Sequence, residues 1–130
     1  MSKLQNKAVL LIDDDPAMLR ALDRVLSDEG ANVTCAVWAY DALEAVTAQK
    51  NQIDLVITDL RMPYMRGVLT GMTVVHTLHE IMPALPIIVL TAFGSPEVKA
   101  ECLGRGAVAL LEKPLDTAQL IAALEKVWPD

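Results

Sequence analysis

The 130 residues suit one domain, and 53% hydrophobic against 22% charged residues exclude a disordered tail. Eleven Lys and Arg against seventeen Asp and Glu leave a formal charge of −6, which argues against gripping a phosphate backbone and hence against direct nucleic-acid binding. Apolar runs such as Ala8–Ile12 and Ile87–Leu90 fall well short of the roughly 20 residues of a membrane span. Lys3 and Lys7 lead into five apolar residues and then three aspartates, which is no signal peptide. Cys35 and Cys102 lie far apart without metal-ligand spacing and read as buried, reduced thiols. The expectation is a cytoplasmic domain with no membrane attachment.

Five short β-rich runs alternate with helical patterns. Ala8–Ile12 comes first, followed by Asp15-Pro16, a cap residue before Pro at a first helical position. Met18, Leu22, Val25 and Leu26 then form an apolar stripe that stops at Glu29-Gly30. The second run, Val33–Val37, precedes a helix through Ala42, Leu43 and Val46. The third, Ile53–Thr58, precedes one through Met72, Val75, Leu78 and Met82, halted by Pro83. Ile87–Leu90 leads to Ser95-Pro96, another capped start. Ala107–Leu111 leads to Asp116-Thr117-Ala118-Gln119, which resembles a capping box, with Leu120, Ile121, Leu124 and Val127 as the buried face. Most of the runs are apolar throughout, as strands covered on both faces are. This pattern predicts an α/β fold: a doubly wound, five-stranded parallel sheet with helices on both sides, filling residues 1–130 as one domain.

In such sheets ligands bind beyond the carboxyl ends of the strands. Four runs end there in groups that can do chemistry: Asp13-Asp14-Asp15, Asp59, Thr91, and Lys113-Pro114. Each alone is commonplace, since an aspartate after a strand is often a helix cap and a lysine is usually solvated. Convergence on one rim gives them joint meaning. Asp13, Asp14 and Asp59 in one pocket repel, so either a proton or a cation must sit among them. Mg²⁺ suits hard carboxylate donors and keeps room for phosphate oxygens. A carboxylate nucleophile, a divalent metal, a hydroxyl and a lysine together make a phosphoryl-transfer site.

Four stretches carry a family resemblance: Val9–Pro16 (VLLIDDDP), Asp54–Pro63 (DLVITDLRMP), Ile88–Ala92 (IVLTA), and Gly106-Ala107 through Glu112-Lys113-Pro114. Along nearly its whole length the chain resembles the receiver domain of bacterial two-component response regulators. The resemblance implies a flavodoxin-like (βα)5 fold with strand order 2-1-3-4-5. It implies that Asp59 accepts a phosphoryl group from the phosphohistidine of a histidine kinase or phosphotransfer protein. Asp14 would bind Mg²⁺ directly, Asp13 would reach it through water, and the Arg61 carbonyl would add a backbone ligand. Thr91 would be the switch hydroxyl, with Ala92 the small neighbour whose backbone contacts the phosphoryl group. Lys113 would pair with that group, its bond to Pro114 being cis. Asp15 reads as a cap rather than a ligand. The implied role is a signalling phosphoacceptor that promotes only its own phosphorylation and dephosphorylation. It would act on a downstream protein or attached effector through the fourth helix, fifth strand and fifth helix, with phosphorylation-dependent homodimers open to it.

Three features depart from the family pattern. Leu110 stands where an aromatic switch residue is common, so any switch runs through Thr91 and backbone movement. The segment Tyr64–Thr70 is longer than usual, beside the site, and is a tolerated insertion or a partner contact. Arg61 and Phe93 occupy positions that tune dephosphorylation. His76 and His79 read as a solvated or flanking pair, and Trp38 and Trp128 as partly exposed. The main rival is a small aspartate-nucleophile phosphatase of the haloacid-dehalogenase type, with Asp13 as nucleophile and Asp15 as the second acid. It lacks a Thr at Ala17, a second acid pair and a cap domain. A flavin-binding module fares worse, because three aspartates stand where its phosphate loop would be.

Overall fold

Strand β1 (Ala8–Ile12) is flanked by β2 (Asn32–Ala36) on one side and β3 (Leu55–Thr58) on the other, with β4 (Ile87–Thr91) and β5 (Ala109–Glu112) continuing outward. All pairs are parallel and the order is 2-1-3-4-5. This is a computed structural model, and it describes residues 3–37, 39–48, 52–60, 71–92 and 94–129. Five helices alternate with the strands: α1 (Pro16–Asp28), α2 (Ala39–Ala48), α3 (Gly71–Ile81), α4 (Pro96–Gly104) and α5 (Thr117–Val127). None is long and apolar enough to cross a membrane.

Successive strand residues point to opposite faces, so every central strand feeds two cores. Leu10, Ile12, Val56, Ile87 and Val89 pack with Val46, Val74, Leu78 and Cys102 beneath α2, α3 and α4. Val9, Leu11, Leu55, Ile57, Ile88 and Leu90 pack with Leu19, Leu26, Leu120 and Leu124 beneath α1 and α5. Burial on both faces is why these runs are apolar without alternation.

The helix starts follow from their caps. Asp15 accepts from the Ala17 amide at 3.0 Å, Ser95 from Val98 at 3.1 Å, and Asp116 from Ala118 at 2.9 Å. Gly30 ends α1 with φ +92°, a conformation that favours glycine, and the Gln5 side chain lies where a Cβ would project.

Several details differ from expectation. The buried face of α1 is Leu19, Leu22 and Leu26, while Val25 is exposed. On α5, Ile121 is exposed and Ala123 is buried in the sheet-facing stripe. β5 begins at Ala109 rather than Ala107, because the Ala107 amide still bonds back to the Cys102 carbonyl at the end of α4. Of the two thiols, both free, only Cys102 is buried; Cys35 is exposed, since β2 is an edge strand. His76 is exposed and pairs with Glu80 at 3.1 Å. His79 is half-buried, and its ring lies against Gly106. Trp128 is half-buried, with the Lys7 ammonium 4.7 Å from its ring centroid. Trp38 and the segment 64–70 lie outside the described residues.

Candidate phosphoryl-transfer site

The chain leaves β1 toward β2 on one side, while β3 pairs with β1 on the other, so the switch point of the sheet lies between β1 and β3. Asp13 and Asp59 follow the last residues of those two strands. The Asp13 amide donates to the Ala36 carbonyl at 3.1 Å and the Asp59 amide to the Ile12 carbonyl at 2.9 Å, which extends the ladder one step into the site. Both residues are buried, with 3% and 6% of their surface exposed.

Buried carboxylates need partners. Lys113 supplies one to each: its Nζ lies 2.9 Å from Asp13 Oδ2 and 2.9 Å from Asp59 Oδ2. Asp13 Oδ1 accepts from the Asp15 amide at 3.0 Å, so both oxygens of Asp13 are engaged. Lys113 is brought in by β5, and its amide donates to the Thr91 carbonyl at 2.8 Å. The bond from Lys113 to Pro114 is cis, as the resemblance implied. Burial pulls the Lys113 ammonium down, but hydrogen bonds and charge from Asp13 and Asp59 outweigh it and hold its pKa above the ordinary value.

Asp14 is half-buried beside this pair, and the three carboxylates bring ligand oxygens within 4.8 Å of one another. Burial raises the Asp14 carboxyl pKa, helped by the charge of Asp13, a hydrogen bond with it, and the charge of Asp59; a backbone hydrogen bond opposes the rise. Three hard oxygen donors crowded to this degree, one of them resisting ionisation, are a donor set that fits Mg²⁺.

Asp13, Asp14, Asp59 and Lys113 thus come together as the sequence predicts, and Thr91 ends β4 beside them, buried at 1% exposure. Ala92 follows, exposed at the rim. Asp15 does not join them: it is exposed and spends its carboxylate on the α1 cap, which removes the second acid that the phosphatase rival requires. Arg61, Met62, Pro63 and Phe93 lie outside the described residues. Leu110 is half-buried and packs against the core beneath α2, α3 and α4. Thr58 is a further residue beside the site that the sequence motifs do not single out. It is fully buried, and its hydroxyl donates to the Asp59 carbonyl at 3.1 Å. The signal available was a hydroxyl ending an otherwise apolar run next to the aspartate.

A fold of this order with acids at the switch point defines a class, and comparison with known proteins agrees. Residues 9–125 match the response regulator receiver domain family, and the chain belongs to it. It is 38% identical over 118 residues to the transcriptional regulatory protein ZraR of Salmonella typhimurium, covering 91% of this chain and 25% of that protein. It is 35% identical over 117 residues to GlrR of Escherichia coli, covering 90% and 25%. The chain therefore spans about a quarter of the length of these curated relatives. Among solved structures, a receiver domain from Clostridium thermocellum superposes with a TM-score of 0.83 at 30% identity, covering 93% of each chain. A chain of the CheX–CheY complex from Borrelia burgdorferi does so at 0.87 and 26% identity, covering 97% of this chain and 92% of that one. The protein is a receiver domain of the two-component response regulator family, and the phosphatase reading is not favoured.

Proposed function

We propose that Asp59 is the phosphoacceptor of this receiver. An oxygen of its carboxylate attacks the phosphorus of a phosphohistidine; the O–P bond forms as the P–N bond breaks, and the electron pair returns to the imidazole. The product is an aspartyl phosphate. The observation that carries the reading is the single Lys113 ammonium held 2.9 Å from both Asp13 and Asp59. That ammonium is placed to follow the charge from the carboxylate to the incoming phosphoryl oxygens. Thr91 donates its hydroxyl to a second oxygen, and the Ala92 backbone approaches a third. Asp13, Asp14 and Asp59, with the Arg61 carbonyl, would hold Mg²⁺. When bound, Mg²⁺ supplies charge neutralisation that lets a carboxylate meet a phosphoryl group.

Two structural relatives lend support: the Borrelia burgdorferi complex contains BeF3 and Mg²⁺, and a Burkholderia pseudomallei regulator contains a phosphorylated aspartic acid and a calcium ion. The donor is a histidine kinase or phosphotransfer protein in the cytoplasm. The chain 1–130 acts as one receiver domain that switches on phosphorylation and turns over no external substrate. Its output face is α4, β5 and α5, where a groove of about 890 Å³ is lined by Leu103, Val108, Leu110 and Ala122 with Lys99 and Lys126 at its sides. A downstream protein, an attached effector or a second receiver takes that face, and nucleic acid does not bind this acidic domain directly.

Intact-protein mass after incubation with acetyl phosphate, with and without Mg²⁺, tests the reading. One Mg²⁺-dependent phosphoryl adduct that disappears in Asp59→Asn is expected. An adduct that persists in Asp59→Asn and maps to Asp13 overturns it.

A further inference from the structure

Thr58 is the last residue of β3, and its strand companions Leu55, Val56 and Ile57 are all apolar and buried. Its own exposure is 0%. Valine would fill the same β-branched volume without a hydroxyl to satisfy, and an unbonded buried hydroxyl is costly. Here the hydroxyl donates to the Asp59 carbonyl at 3.1 Å.

That carbonyl lies one residue beyond the regular β1–β3 pairing, which ends at Ile12 and Thr58. On its amide side, Asp59 is anchored to the Ile12 carbonyl at 2.9 Å. The backbone of Asp59 is therefore gripped at both ends, by β1 at the N–H and by Thr58 at the C=O. Side-chain direction follows from backbone dihedrals, so this double anchor aims the carboxylate at the Lys113 ammonium. It also constrains the direction in which the chain leaves Asp59 toward Leu60.

We propose that Thr58 is a positioning residue for phosphoryl transfer, acting through its hydroxyl on the backbone of Asp59. The inference rests on Asp59 being the phosphoacceptor. The hydroxyl touches neither phosphoryl group nor metal; it narrows the range of carboxylate positions from which attack occurs.

The test follows the rate of adduct formation from acetyl phosphate at saturating Mg²⁺, by intact mass, in the wild type, Thr58→Val, Thr58→Ala and Thr58→Ser. Both hydroxyl-free variants are expected to be slowed about three- to tenfold in maximal rate, with the donor concentration for half-maximal rate unchanged. Thr58→Ser keeps the hydroxyl and is expected at the wild-type rate, although the lost methyl lowers its thermal midpoint. A purely structural role would make rate follow stability across the series, and the serine variant breaks that link. A wild-type rate in either hydroxyl-free variant, or a serine variant as slow as valine, overturns the inference. If the wild type itself gains no adduct on Asp59, the phosphoacceptor reading has failed and this inference falls with it.

Discussion

The amide of Lys113 donates to the carbonyl of Thr91 at 2.8 Å, one residue beyond the pairing of Thr91 with Glu112. Thr91, proposed above as a phosphoryl-contacting hydroxyl, and Lys113, which carries the site's ammonium, are thus bonded through their backbones. On the proposed reading, any shift of Thr91 toward Asp59 would be passed through this bond to β5, where Leu110 lies three residues before Lys113. Leu110 lies near the bare Cα of Gly94, where an added Cβ would sit 3.0 Å from its Cδ2. Gly94 and Leu110 are therefore close enough that a displacement of one would press on the other.

Asp15 separates the receiver reading from its rival. Because its carboxylate caps α1, Asp15→Ala is expected to cost about 1 kcal/mol of stability in denaturant unfolding while leaving phosphoryl adduct formation at the wild-type rate. Loss of the adduct would restore Asp15 to the chemistry.

Asp14 is held beside two other acids in a desolvated corner. Asp14→Asn removes that repulsion, so the variant is expected to melt above the wild type in a chelator. Added Mg²⁺ is expected to raise the wild-type midpoint with the logarithm of its concentration above the dissociation constant, and the variant's far less. Differential scanning fluorimetry in both conditions reads the two effects.

Gly106 has φ +115°, and a Cβ there would come within 2.3 Å of His79 Cγ. Gly106→Ala is expected to cost about 2–4 kcal/mol, combining backbone strain with overpacking. His79→Ala in the same chain removes the ring contact and recovers part of the loss, though the Cβ of residue 79 stays close. A double-mutant cycle in urea measures the coupling, and full additivity would show that the ring is not the obstacle.

Burial pushes the Cys102 thiol above its usual value of 9.0, with a further push from Glu101. In the window above pH 9 the folded protein then holds the proton that the unfolded chain releases, so unfolding gains and stability falls as pH rises. Native Cys102 is expected to resist iodoacetamide at pH 8 and to react once unfolded. Unfolding free energies from pH 8 to 10 are expected to decline less steeply in Cys102→Ala.

Much of this fold is legible because both faces of each central strand are covered. Runs such as Ala8–Ile12 are then bounded by composition alone, and Asp15, Ser95 and Asp116 mark helix starts by local hydrogen bonding. The acids and Lys113 are legible because a parallel sheet delivers strand ends to one rim. Helix facing is less so. Val25 and Leu22 are both apolar, and only the packing of α1 against the sheet decides that Val25 is left in solvent. Ala123 is buried where Ile121 is not, because the angle at which α5 meets the sheet is not a local property. Thr58 escaped for a related reason. A threonine in a β-run satisfies propensity, and its partner is a backbone carbonyl invisible to residue identity.

The sheet also acts as a partition. Alternate residues of a single strand fall on opposite sides of it: Leu10 and Ile12 answer to α2, α3 and α4, while Val9 and Leu11 answer to α1 and α5. Substitutions within one layer must compensate one another, whereas those across the sheet share few side-chain neighbours and add independently. A lineage can therefore redraw the α1/α5 side without disturbing the packing of the other side. The constraint common to both is the rim where Asp13, Asp59, Thr91 and Lys113 meet.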